Sequence, residues 1–195
     1  MNESVDQPVP EPLNESPTEP TTEPTIELAR EEDLGHLPEI ERRAARLFSP
    51  EDLPPEVAAR TMPPDRLRSA QREQRLWVAR EEEGGRPVGF ALLGVRRRDA
   101  CLEEIDVDPD HGRRGLGRRL VETVRDAARA RGHDRLLLAT FRDVPWNAPF
   151  YARLGFEIVE RIGEGERDAG LRAMRREDVE AGLDPSRRVL MRLAL

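Results

Sequence analysis

The sequence predicts an α/β (α+β) domain built on a mixed, mainly antiparallel central sheet of about seven strands, with helices flanking both faces. Three observations carry this. Strand-like apolar runs recur at 25–30, 76–81, 88–97, 100–108, 135–141, 156–161 and 187–195. Segments with apolar residues at helical spacing lie between many of them, so strands and helices must share a core. The three runs from 76 to 108 follow one another across only EEGGRP and RRRDA, the pattern of an antiparallel meander.

Each element has a local reason. Residues 1–24 are rich in Pro, Glu, Thr and Ser and poor in large apolar groups, which predicts a disordered tail preceding a folded domain over 25–195. In TIELAR, Ile26 and Leu28 alternate with polar residues as a half-buried strand requires. From Asp33, a candidate N-cap, Leu37, Ile40, Ala44 and Leu47 recur at helical spacing. Prolines 50, 54, 55, 63 and 64 then limit the chain to a loop with brief helical turns. A helix over about 115–131 places Leu116, Leu120, Val124, Ala127 and Ala128 on one face and stops at Gly132. Asn147 can cap a short helix whose first turn tolerates Pro149 and which ends near Gly155. A last helix runs over 169–181 before Gly182.

Composition removes several classes of chemistry. All 32 cationic side chains counted as Lys+Arg are arginine, so a Walker A loop, a kinase phosphate lysine and a pyridoxal Schiff base are excluded. Glu3, Asp6, Glu11, Glu15, Glu19 and Glu23 have no basic neighbour in the tail and supply most of the net charge of -7. The rest is close to neutral, which argues against a nucleic-acid partner. Cys101 is the only cysteine, which excludes an intrachain disulfide and fits a reducing cytoplasm. No signal peptide or apolar run of membrane-spanning length is visible, so the sequence predicts a soluble, cytoplasmic chain with no membrane partner. His36, His111 and His133 lack metal-ligand spacing, and no metal is expected.

Two motifs carry chemistry. DPDHGRRGLG, residues 108–117, joins a strand to a helix; its glycines let backbone approach a ligand, and free N–H groups at the helix start point toward an anion such as pyrophosphate. Read alone, it is also compatible with a plain turn and a solvated arginine face. About thirty residues later comes WNAPFYARLGF, in which Tyr151, the only tyrosine, lies four residues after Asn147 on the same helical face.

Together these stretches resemble the GNAT superfamily of acyl-CoA-dependent N-acyltransferases, over roughly residues 25–195. Gly115 and Gly117 match the family loop pattern Arg/Gln-x-x-Gly-x-Gly/Ala, and Tyr151 with Leu154, Gly155 and Phe156 matches its later helix and turn. Gly112 departs from it, standing where the family usually has Arg or Gln, with Arg113 and Arg114 following. The resemblance implies that amides of Arg113, Arg114, Gly115, Leu116, Gly117 and Arg118 hold a CoA pyrophosphate. Ile105, Asp106 and Val107 would pair with the pantetheine arm, and Asn147 would contact the cofactor further along.

It also implies direct transfer of an acetyl or other acyl group from acyl-CoA to a primary amine, with Tyr151 as general acid to the departing thiolate. For the base, Glu103 and Glu104 lie on the strand that should face the thioester. Neighbouring strand residues point to opposite faces, so one of them is expected to reach the site, and Glu104 is the choice. A solvated or salt-bridged carboxylate is the competing role. Cys101 sits early on a strand, where a buried structural thiol is expected. The acceptor, a small-molecule, peptide or protein amine, should be bound by 47–75, the loop after Phe141 and 163–182. A homodimer is left open. A non-catalytic acyl-CoA-binding module is the alternative, against which Tyr151 argues.

Overall fold

The structure, a computed structural model, describes residues 24–195; the tail expected over 1–24 lies outside the described residues except for Pro24. Seven strands form one sheet in the order β1-β2-β3-β4-β5-β7-β6. β1 (Thr25–Leu28), β2 (Leu76–Arg80), β3 (Gly89–Arg96) and β4 (Asp99–Val107) make the antiparallel meander. β5 (Arg135–Phe141) runs parallel to β4, and β7 (Arg188–Ala194) is antiparallel to both β5 and the two-residue β6 (Glu157–Ile158). Among the described residues no helix is long and apolar enough to cross a membrane.

Helices cover both faces, and strand alternation decides which residues meet them. Trp77, Ala79, Ala91, Leu93, Leu136 and Leu138 face α4 (Leu116–Ala130), whose Leu116, Leu120, Val121, Val124 and Ala128 are buried as the sequence predicts. The alternate residues Leu76, Val78, Phe90 and Leu92 meet α1 (Leu37–Ala45) and α3 (Pro64–Arg72). Further along the same face, Cys101, Leu137 and Leu190 pack against α6 (Ala169–Glu180). Replacing a buried leucine such as Leu120 by alanine would cost about 2–5 kcal/mol. The short α2 (Pro55–Ala58) and α5 (Ala148–Ala152) complete the set.

Several local expectations are corrected. Asp33 does not cap α1: it closes a 3-10 turn, its carboxylate accepts from the Arg30 N–H at 2.7 Å, and it pairs with Arg80. Leu47 lies beyond α1 and is exposed. Helix α3 was not anticipated, because only Leu67 and Ala70 of its nine residues are buried and the rest reads as polar loop. The strand expected over 156–161 is regular only at Glu157–Ile158.

Candidate active site

The site begins where the sheet opens. β4 pairs with β5 only at Ala100–Leu136 and Cys101–Leu137; past these the strands diverge, leaving the edge of β4 from Leu102 to Val107 unpaired on that side. On its other edge, register with β3 slips by one, Leu93 facing Leu102 and Leu92 facing Glu104, so Glu103 is the extra residue of a β-bulge.

The bulge corrects the alternation argument. Glu103 and Glu104 leave the strand on the same side: a Cβ on Gly94 would overlap the Glu103 carboxylate, while Glu104 stands opposite Leu92 on that face. Asp106, two residues on, shares it. Ile105 and Val107 pack on the opposite, α4-side core.

The carboxylates then meet different surroundings. Glu103 is neutralised: Arg66 reaches its oxygens at 2.6–2.9 Å and Arg96 at 3.3 Å, and these bonds hold its acidity below the ordinary glutamate value against the opposing effect of burial. Glu104 and Asp106 have no salt-bridge partner among the described residues. Burial, reinforced by the charge of Asp106, holds Glu104 well above its ordinary value, and burial reinforced by Glu41 pushes Asp106 up to about 8. Glu41 itself, on α1, accepts the Met62 N–H at 2.9 and 3.1 Å and is raised by burial.

Two clefts flank these groups. One, of about 530 Å³, is lined by Glu41, Leu53, Val57, Met62, Arg66, Glu103, Glu104, Phe141 and Arg188 among others. Residues of 47–75 line it, Asn147 alone lines it from the loop after Phe141, and none of 163–182 does, although Leu183 does. The second, of about 820 Å³, runs past Val107 and the glycine loop to Trp146 and Phe150. Phe48, Ile105, Asp106, Asn147 and Tyr151 line both, so the clefts join there.

The loop at the far end is built from backbone. Pro109–His111 form a 3-10 turn capped by the Asp108 carboxylate, which accepts from the Asp110 N–H at 3.0 Å. Arg43 on α1 reaches Asp108 at 3.1 Å and Asp110 at 2.6 Å, tying the loop to the helix that carries Glu41. Gly115 is left-handed at φ 80°, a conformation that favours glycine, and precedes α4; the first helical amide bond there is from Arg119 to the Gly115 carbonyl. The N–H groups from Leu116 to Arg118 therefore lack intrahelical acceptors, as at any helix start, with the positive end of a four-turn helix behind them. Gly117 lies 3.7 Å, measured from an added Cβ, from the Phe150 ring, which limits bulk there. Arg114 and His111 both pair with Glu81, the latter at 2.8 Å.

Asn147 holds the N-cap position of α5, but its side chain does not cap the helix; it accepts a hydrogen bond from the buried Thr140 hydroxyl, which fixes it at the junction. Tyr151 packs edge-on against Phe150 and Phe156, with ring centroids 5.1 and 5.8 Å away. Burial first, then the charges of Glu104 and Asp106, hold its phenol above the ordinary value, so it stays protonated. Cys101 is buried, and desolvation pushes its thiol up to about 12, which leaves it a poor nucleophile. No cluster of three or more metal-ligating side chains occurs among the described residues. Sequence reasoning missed Glu41, and it gave Asp106 only a place beside the pantetheine arm, with no part for its carboxylate. The available signal was EEID, three carboxyls within four residues of a strand that also carries Ala100, Cys101, Leu102 and Val107.

Comparison with known proteins converges on one family. Residues 37–156 match the profile of the acetyltransferase (GNAT) family. An uncharacterized N-acetyltransferase, MJ1207, from Methanocaldococcus jannaschii is 33% identical over 88 residues, covering 42% of this chain and 39% of that protein. The ribosomal protein bS18-alanine N-acetyltransferase of Escherichia coli is 36% identical over 74 residues, 38% of this chain and 50% of that one. The chain thus spans half or less of the length of these curated relatives. Among solved structures, Rv2747 from Mycobacterium tuberculosis in complex with CoA has a TM-score of 0.63 at 22% identity, covering 88% of this chain and 99% of that one. The putative acetyltransferase yncA from Salmonella typhimurium with acetyl-CoA has a TM-score of 0.61 at 22% identity, covering 88% and 94%. These structures share the fold, a seven-stranded mixed sheet flanked by helices. The match over most of the chain establishes the relationship, and this protein belongs to the acetyltransferase (GNAT) family.

Proposed function

We propose that this protein is an N-acyltransferase that moves an acetyl, or another acyl, group from acyl-CoA to a primary amine by direct attack in a ternary complex. The observation that carries this reading is the meeting of the two clefts at Asp106, Asn147 and Tyr151, where a thioester in one would face an amine in the other. Amides of Arg113 to Arg118 hold the pyrophosphate at the start of α4. The unpaired edge of β4 at Ile105 to Val107 pairs with the pantetheine amides as an added strand would.

In the reaction the amine nitrogen attacks the thioester carbonyl carbon and loses a proton to the Glu104–Asp106 carboxyl pair. As the C–S bond breaks, Tyr151 donates its phenolic proton to the departing sulfur, giving an amide and free CoA. Its weakened acidity fits a donor that must remain protonated until the thiolate leaves. A non-catalytic acyl-CoA-binding module would need only the cleft beside the glycine loop; the adjoining carboxyl-lined cleft favours the enzyme. The test is CoA release from acetyl-CoA with a panel of small amines, peptides and proteins. Acceptor-dependent release is expected, and saturable CoA binding without release by any acceptor would establish the module instead.

A further inference from the structure

Resting on the reading of the glycine loop as an acyl-CoA site, we propose that the acidic N-terminal segment of this chain, residues 1–23, docks on the surface formed by Arg113, Arg118 and Arg119 and competes there with the phosphates of acyl-CoA. The segment carries Glu3, Asp6, Glu11, Glu15, Glu19 and Glu23 and no arginine. It joins the fold beside that surface. Arg119 on α4 donates to the carbonyl of Pro24, and two residues later Ile26 of β1 packs into the core on the α4 side. The chain therefore enters the domain one arginine side chain away from the turn between Gly115 and Arg119.

Charge and reach both suit this occupant. Arg113 and Arg118 line the cleft beside the glycine loop. Among the described residues Arg113 has no carboxylate partner, Arg118 meets Glu122 alone, at 3.4 Å, and Arg119 is held by a carbonyl that brings no charge. Nearby carboxylates are already engaged: Glu81 by Arg114 and His111, Asp108 and Asp110 by Arg43. An extended chain spans at most about 3.6 Å per residue, so Glu23 adjoins Pro24 and Glu19 has a reach of about 18 Å from it. One helical turn is about 5.4 Å long, well inside that reach. Each contact between exposed charges is weak alone, but so short a tether gives the carboxylates an effective concentration of millimolar order. A guanidinium bonded to a carboxylate is not available to a phosphate, so the segment and acyl-CoA weaken each other by the same factor.

The test uses the full-length chain with Glu11→Gln, Glu15→Gln, Glu19→Gln and Glu23→Gln combined, which alters no residue of the sheet or its helices. In calorimetric titrations with CoA at low ionic strength, the variant should bind about three- to tenfold more tightly than wild type, the effect of removing a competitor held by a few exposed charge pairs. The screening length falls to about 3 Å in about 1 M salt, so the ratio of the two affinities should approach one there. Amide NMR of the protein without CoA reads the location. The Gly115 and Gly117 signals should differ between wild type and variant at low salt and coincide at high salt, and adding CoA to wild type should shift the signals of Glu19 and Glu23. Equal CoA affinities at low salt, a difference that persists at high salt, or Gly115 and Gly117 signals indifferent to the four carboxylates would each overturn the inference while leaving the acyl-CoA site standing. Failure of wild type and variant alike to bind CoA would overturn both.

Discussion

Buried and half-buried carboxylates in this protein fall into two groups, and the contrast separates scaffold from site. Asp33, Asp99 and Asp178 are each no more than 6% exposed, and each is held by an arginine: Arg80 at 2.7 and 2.8 Å, Arg135 at 2.7 and 3.0 Å, Arg188 at 3.0 and 3.3 Å. Glu104 and Asp106 have no arginine partner among the described residues, and the charge of Asp106 adds to burial in raising Glu104. A compensated buried charge is costly mainly when one partner is removed, whereas a like-charged pair is strained as it stands and gains when a proton or a cation arrives. The first arrangement ties elements together; the second keeps a protonation change available at the junction of two clefts.

The largest effect expected from breaking that contrast is on stability. Arg80→Met strands the Asp33 carboxylate beneath β1 and β2, and unfolding free energy from urea melts should fall by about 3–5 kcal/mol. Asp33→Leu together with Arg80→Met should recover much of this loss, because the double change removes both charges. An Arg80→Met protein as stable as wild type would show that the pair contributes nothing and that the distinction between the two groups is wrong.

Next in size is the group facing the carboxyl pair. Tyr151→Phe keeps the ring and its edge contacts with Phe150 and Phe156, so melting temperature and CoA affinity should change little. Maximal acceptor-dependent rate should fall on the order of 100-fold, equivalent to about 2.7 kcal/mol of transition-state stabilisation. A large drop in melting temperature with turnover intact would assign the hydroxyl to packing.

A third comparison sets this charged junction against the cradle built from backbone. Gly115→Asp introduces a Cβ at φ 80° and a carboxylate where phosphate is expected. The left-handed backbone should cost on the order of 1–2 kcal/mol of stability, and the rise in melting temperature caused by acetyl-CoA should disappear. Normal affinity in this variant would move the pyrophosphate elsewhere.

How far this organisation was legible in the sequence depended on the kind of signal. The helix at 116–130 was plain because its buried residues recur at helical spacing, and the strand at 135–141 because RLLLATF is a continuous apolar run buried on both faces. The glycine loop and Tyr151 were visible as motifs. The bulge was not: nothing in LEEID marks Glu103 as an extra residue, and one slipped register brings a second glutamate to the same face. The neutralisation of Glu103 was equally hidden, since Arg66 lies 37 residues away on a helix with only two buried residues. Asn147 sat where a cap was expected, but the Thr140 hydroxyl claimed its side chain.

The smallest predicted effect tests the strain of the pair directly. Asp106 and Glu104 titrate above their unfolded values, so the native state keeps protons that the unfolded chain has lost. Stability contributed this way is complete below the ordinary carboxylate range and drains away as pH climbs toward about 8, the value for Asp106. Wild-type melting temperature should therefore decline between about pH 5 and pH 8. Glu104→Gln removes one of the two ionisations from the cycle, because a neutral amide has no proton to lose in either state. The variant should match wild type near pH 4, show a shallower decline, and exceed wild type at pH 8. The opposite sign, with Glu104→Gln less stable at pH 8 than at pH 5 relative to wild type, would mean that Glu104 is ionised and compensated like Asp33, and the two groups of buried carboxylates would collapse into one.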